Sequence, residues 1–409
     1  MIKKFFIIAG EASGDLLGSK LMQELKIELA AKNCQAEFVG VGGKLMQEQG
    51  LASIFPMEEL SIMGFLEVVP HIPKLLRRIN QTGSKIIDIN PDFVITIDSP
   101  DFCFRVMKKL KSRINSEDLC VPCSGFGKPY KANFKKIHLI APSVWAYREG
   151  RAAKIAKLYD LLLAILPFEP PYFEKYNLKT VFIGHPIVEK APDFSKKEIL
   201  NLEFRAKYKI APSDVVLCVT PGSRNGEVKR IFPEFISAIN LLLEKKPNLK
   251  IVIPLVDKTR ALVSEMAKEI KSEYFLIEKD DKESTFFAAD FALAKSGTNT
   301  VEFSLYRLPM LIAYKINFIT HFLVKMMIKI KYANLINLIL NKEVIPEMLQ
   351  KDCEGQKIFM KLENLINDKN LAQKQIDESQ LALRMMGYES VEKSSTKAAK
   401  EILNMLKNA

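Results

Sequence analysis

Short runs of consecutive apolar residues alternate, along the first half of the chain, with stretches whose apolar residues recur at helical spacing. The runs at 4–9, 37–41, 93–97, 137–141, 161–166 and 181–184 read as buried strands. Between the first two, Leu16, Leu17, Leu21, Leu25 and Leu29 mark one face of a helix over 14–32. Strands separated by such helices predict βαβ units and a parallel sheet. From 186 to 213 the pattern changes. Pro186, Pro192 and Pro212 and many charges surround one helical segment, which reads as a connector. The alternation then restarts, with strands predicted at 215–220, 250–255, 273–277, 291–294 and 310–314 and a helix at 227–246. Beyond 317 the pattern is mostly helical, and no short-period repeat or low-complexity tract interrupts it.

One α/β architecture therefore occurs twice. The spacing predicts a first domain over 1–186, a connector over 187–213, a second domain over 214–380 and a helical segment over 381–409. Two Rossmann-like domains with parallel sheets are expected to face a central cleft with the carboxyl ends of their strands.

Composition narrows the class. A chain of 409 residues, 48% hydrophobic and 26% charged, has material for two cores, which excludes disordered and collagen-like readings. Six cysteines are too sparse for a disulfide scaffold and are read as reduced. Cys120 and Cys123 form a lone pair without the partners of a zinc site, and His71, His138, His185 and His321 show no metal-binding spacing, so no metal is expected. The net charge of +12 points to polyanions: nucleic acid, anionic lipid or phosphorylated substrates. No nucleic-acid module is present, which turns the reading from nucleic acid towards the other two. Residues 105–137 carry nine Lys or Arg against two acids. Residues 303–342 hold no Asp or Glu, and basic side chains lie there among Phe318, Ile319, Phe322, Leu323, Met326, Met327 and Ile328. That run suits an interfacial element on anionic lipid, or a buried helix with snorkelling lysines. The N-terminus imitates a signal peptide, but its apolar run stops at Glu11 and no cleavage site follows. No uncharged stretch nears the roughly 20 residues of a membrane span. A cytoplasmic or peripheral protein is expected.

Five loops follow predicted strands and hold candidate chemistry. The turn at 10–15, with Glu11, Ser13 and Asp15, opens a helix; Ser13 suits an N-cap, and the turn suits either an anion or a simple βα connection. Asp98 ends a strand, where a carboxylate could accept a proton from a substrate hydroxyl or could form an Asx turn, with Asp101 the better helix cap. The loop 141–148 holds the chain's only Trp, Trp145, beside Tyr147 and Arg148: a sugar platform with a phosphate fork, or core packing. Residues 221–224, with Gly222, Ser223 and Arg224, suit anion binding or a cap beside a solvated Arg. Ser296, Gly297 and Thr298 offer N–H donors to a diphosphate, and Glu302, one turn on, could hold a ribose diol; a near capping box is the competing reading.

Together these stretches resemble the lipid-A-disaccharide synthase family, GT-B glycosyltransferases of the outer-membrane lipid A pathway. The motifs are GEASGD at 10–15, ELSIMGFLEV at 59–68, IDSPDF at 97–102, APSVWAYR at 141–148, LPFE at 166–169, FIGHP at 182–186, PGSR at 221–224, SGTNTVE at 296–302 and the segment 332–338. The resemblance implies that UDP-2,3-diacylglucosamine and 2,3-diacylglucosamine 1-phosphate (lipid X) are joined through a β-1′,6 linkage, with inversion and release of UDP. It implies Asp98 as the catalytic base. It also implies substrate contacts by Glu11, Ser13, Trp145, Arg148, Arg224, Ser296, Gly297, Thr298, Glu302 and Asn337, with no metal and no cofactor. Ile336 stands where Pro is common, and with two asparagines in this segment both Asn334 and Asn337 fit the last position. The implied setting is the cytoplasmic face of the inner membrane, held peripherally, with room for a homodimer. Residues 116–133 read as a surface insertion. The competing functions are another enzyme of the same architecture acting on UDP-N-acetylglucosamine, an epimerase or peptidoglycan glycosyltransferase, and a non-catalytic nucleotide or lipid binder.

Overall fold

The computed structural model describes residues 1–60, 71–115, 134–317 and 330–406. The motif tail at 61–68, the insertion at 116–133 with Cys120 and Cys123, and the apolar residues between Phe318 and Ile328 lie outside the described residues, as does His321.

The chain divides into two compact units, Met1–Pro186 with Ser390–Ala409, and Ile187–Glu389. The first is built on seven strands: β1 (Ile2–Ala9), β2 (Gln35–Val41), β3 (Leu51–Ser53), β4 (Phe93–Ile97), β5 (Lys135–Leu139), β6 (Leu161–Ala164) and β7 (Thr180–Phe182). All pair in parallel, in the order β3-β2-β1-β4-β5-β6-β7. The central strands are apolar along their length because helices cover both faces; every residue of β4 and β6 is buried. The second sheet has six strands: β8 (Val215–Thr220), β9 (Leu249–Pro254), β10 (Tyr274–Ile277), β11 (Phe291–Lys295), β12 (Met310–Tyr314) and β13 (Glu347–Leu349). Its order is β10-β9-β8-β11-β12-β13, again all parallel.

In both sheets the chain winds outward from a central strand and then crosses back to its other side. The two strands flanking that reversal are β1 and β4 in the first unit and β8 and β11 in the second. Register levels their ends, with Ala9 opposite Ile97 and Thr220 opposite Ala294. The turns at 10–15 and 98–99 therefore share one crevice, and those at 221–224 and 296–298 share another.

Three boundaries differ from the sequence reading. β3 and β13, three residues each, carry too short a pattern to stand out. The stretch 187–213 belongs to the second unit: Phe204 of the helix Lys197–Lys207 is buried, Phe194 packs edge-on to Phe287, and Arg205 donates to the Asp214 carbonyl at 3.1 Å. The segment 381–409 is not one body. The helix Lys369–Met385 runs through its start, whereas the helix Ser394–Asn404 joins the core of the first unit through Ala398, Ala399, Ile402 and Leu403.

Candidate active site

In the first unit the site grows from the end of β4. Asp98 donates its backbone N–H to the Leu139 carbonyl at 3.0 Å, extending the ladder by one residue. The chain then turns through two left-handed residues, Asp98 at φ 50° and Ser99 at φ 43°, before the helix Pro100–Asn115 begins. Ser99, not Asp101, precedes that helix, and its carbonyl accepts from Cys103 N at 3.0 Å. Asp98 is half-buried, and desolvation raises its pKa while the Ser99 N–H opposes the shift. Glu11, half-buried at the end of β1, is also raised, first by burial and then by the charge of Asp98.

The other turn residues divide. The helix Ala12–Ala30 starts two residues earlier than the Ser13 cap requires, so Ser13 lies exposed in its first turn and makes no cap. Asp15 is buried and accepts from Gly43 N, Leu45 N and Met46 N at 2.9, 3.1 and 3.0 Å. It caps the neighbouring helix Lys44–Glu48 and serves the scaffold.

A cavity of about 170 Å³ opens beside Asp98, lined also by Ile140, Ser143, Tyr147 and Arg151. Ile140 has φ 77°, a costly value for a β-branched residue, so left-handed backbone clusters around this cavity. Trp145 is half-buried and stands behind the turn: its indole Nε1 donates to Glu169 Oε1 at 3.2 Å and its ring packs edge-on to Phe168. Arg148, at φ 54°, is exposed and does not line the cavity; Arg151 takes that place, a residue the motif reading passed over. His138 is fully buried, pairs with Thr96 Oγ1 at 2.7 Å and is held neutral by desolvation, with its pKa lowered to about 3.

In the second unit a larger cavity, about 450 Å³, lies over the ends of β8 and β11. Gly222, Ser223, Gly297 and Thr298 line it, together with Lys279, Lys282 and Lys295. These three cations converge from separate elements and escaped the sequence reading. Thr220 also lines it, and its buried hydroxyl has no partner among the described residues. Gly222 has φ 138°, and a Cβ there would stand 3.0 Å from the Glu227 Cβ, so glycine is required. Glu227 is buried, accepts from Ser223 N at 3.3 Å and pairs with Lys295 Nζ at 3.2 Å. Arg224 flanks the cavity with its side chain 73% exposed and 3.9 Å from Glu227. Glu302 is half-buried and bonded to Lys282 at 2.7 Å.

Two expected contacts take structural roles. Ser296 N donates to the Ala313 carbonyl at 3.0 Å, and its Oγ to the Ala333 carbonyl at 3.3 Å. Asn337 is fully buried with its whole amide in use: Oδ1 accepts from Val344 N and Ile345 N, and Nδ2 donates to Ile345 O and Glu347. Asn334, also buried, accepts from Asn337 N through Oδ1 and donates from Nδ2 to Glu347. Among the described residues, no group of three or more His, Cys, Asp or Glu is placed to hold a metal ion.

Two doubly wound α/β units in one chain, the second with a cationic cavity at its switch point, define a protein of GT-B fold. A glycosyltransferase from Rickettsia africae superposes with a TM-score of 0.56 over 100% of this chain and 99% of its own, at 12% identity, a likeness of fold. The lipid-A-disaccharide synthetase family profile matches residues 5–402. Lipid-A-disaccharide synthase of Rhodospirillum centenum is 40% identical over 98% of this chain and 94% of its own. That of Rickettsia conorii is 41% identical over 95% and 84%. The chain belongs to the lipid-A-disaccharide synthetase family and is an enzyme of lipid A disaccharide synthesis.

Proposed function

We propose that the chain joins UDP-2,3-diacylglucosamine to lipid X, releasing UDP, with Asp98 as the base. The acceptor's primary hydroxyl oxygen attacks the anomeric carbon of the donor. Its proton passes to the Asp98 carboxylate, and the bond to UDP breaks with its electron pair on the diphosphate. A fixed cationic cradle stabilises that leaving charge without reorganising. Lys279, Lys282 and Lys295, with the 221–224 turn and Gly297 and Thr298, supply it on the second unit, and Arg224 adds charge from nearby. Attack opposite the leaving group inverts the centre and yields the β linkage.

The observation that carries this reading is the placement of Asp98. It is a half-buried carboxylate on strained backbone at a switch-point strand end, in a chain of this family. The test is coupling of the two acylated sugars by purified protein. Turnover of unacylated UDP-N-acetylglucosamine alone would favour an epimerase or peptidoglycan-type transferase, and UDP binding without turnover a non-catalytic binder.

Both substrates carry acyl chains and phosphate, which suits an enzyme working peripherally on the cytoplasmic face of the inner membrane, singly or as a homodimer. The net charge of +12 and the acid-free stretch 303–342 support that setting. Among the described residues no helix is long and apolar enough to cross a membrane.

A further inference from the structure

Glu169 is 2% exposed, the least of any carboxylate among the described residues. No cation is bonded to it there; three N–H donors hold it. Oε2 accepts from the backbone of Ile165 and Leu166 at 3.2 and 3.0 Å, in the turn after β6. Oε1 accepts from the Trp145 indole at 3.2 Å, in the turn after β5. One buried carboxylate thus ties two neighbouring strand-end turns together. The turn after β5 is the one that wraps the Asp98 cavity, and it starts at Ile140, whose φ of 77° is a backbone state that persists only when its surroundings over-determine it. On one side that residue is held by its N–H bond to the Leu163 carbonyl at 3.0 Å. The Trp145–Glu169 bond and the edge-on contact of Trp145 with Phe168 hold the turn further along.

We propose that Glu169 is a positioning residue for the acceptor site: through Trp145 it locks the turn after β5, and with it Ser143, Tyr147 and Arg151, around Asp98. That an acceptor sits there rests on the function proposed above; the lock itself does not.

Trp145 is the chain's only Trp, so its fluorescence reads the lock directly. In Glu169→Gln the amide oxygen satisfies the Ile165 and Leu166 N–H groups. Its NH₂ then faces the indole N–H, donor against donor, and the Trp145 tie is cut with little change in shape. The full chain, this variant, Trp145→Phe and the double variant are compared. In Glu169→Gln, Trp145 becomes more open to acrylamide quenching. The KM for lipid X rises about tenfold, as expected for losing a buried hydrogen bond, while the Kd for UDP stays at the parent value. Trp145→Phe, which removes the N–H together with the five-membered ring and keeps a six-membered one, gives the same KM, and the double variant is no worse than either. Unchanged quenching in Glu169→Gln, or additive effects in the double variant, overturns the lock. So does equal weakening of UDP and lipid X together with a lower Tm, since that is general loosening. Should Glu169→Gln fail to fold, Trp145→Phe decides by its KM: a parent-like value overturns the proposal. If the parent forms no disaccharide, the proposed function falls, and quenching alone decides the lock.

Discussion

Gly10 and Ser99 close the switch point of the first sheet so tightly that a methyl group on Gly10 would stand 2.9 Å from the Ser99 Cβ. Real side chains do not approach that closely, so Gly10→Ala must push the Asp98–Ser99 turn aside. That turn is already left-handed at both residues. The expected outcome is a fall in kcat of about tenfold, from overpacking worth about 1–3 kcal/mol, with the Kd for UDP unchanged. Steady-state kinetics beside calorimetric titration of UDP measure both. A variant with parental kcat would show that the turn does not depend on this contact.

Asp98→Asn keeps the shape of the side chain and removes proton acceptance. Turnover should fall by about 10²–10⁴-fold while UDP still binds; a loss under about tenfold would count against Asp98 as the base. The pH profile adds a sign. Burial holds the Asp98 proton above the usual 3.8, and the base must be ionised, so activity is present at high pH and lost as pH falls through that raised value. The acid limb of kcat/KM in the parent should therefore titrate above 3.8, and an acid limb at or below it would remove the desolvated-base account.

Much of this arrangement was legible before any coordinates, and the reason is geometric. Strands buried on both faces are largely apolar, so β1, β4, β8 and β11 stand out as apolar runs, and the one or two residues after each run stand at a crevice. Asp98, Gly222 and Gly297 were found that way. What was not legible depends on convergence. Lys279, Lys282 and Lys295 are ordinary surface letters until three elements bring them to one cavity. An asparagine that closes a buried loop, as Asn337 does, has the same sequence signature as one that binds a nucleotide; only its spent amide tells them apart. Ser13 misses the cap because the helix starts two residues earlier, after Glu11.

Lys295, which lines the cavity, and Arg224, which follows the lining residue Ser223, carry like charge and should behave differently when removed. Arg224 is largely solvated, so Arg224→Ala should weaken UDP binding while stability moves by less than about 0.5 kcal/mol. Lys295 compensates the buried Glu227. Lys295→Ala should weaken UDP binding and also cost roughly 2 kcal/mol, short of the fully buried case because Lys295 itself keeps some contact with water. Thermal melts with and without UDP separate the two effects. Equal Tm values for both variants would show that the Glu227 pair carries no weight in the fold.

Glu169 gives the first unit a pH dependence of its own. Burial lifts its carboxyl from 4.5 to about 7, against the opposing pull of the Leu166 N–H, the Trp145 indole and the Ile165 N–H. The folded chain therefore keeps a proton that the unfolded chain releases between those two values. Where the native state binds more protons, stability falls as pH rises, so this contribution is fully present below pH 4.5, declines through the window and is flat above about 7. The full span is about 3 kcal/mol at 1.36 kcal/mol per unit. Glu169→Gln has no proton to exchange and should flatten the slope of Tm against pH between 5 and 7 that is due to this group. Identical slopes in parent and variant would mean that Glu169 is ionised throughout, held by its three N–H donors more strongly than burial disfavours its charge.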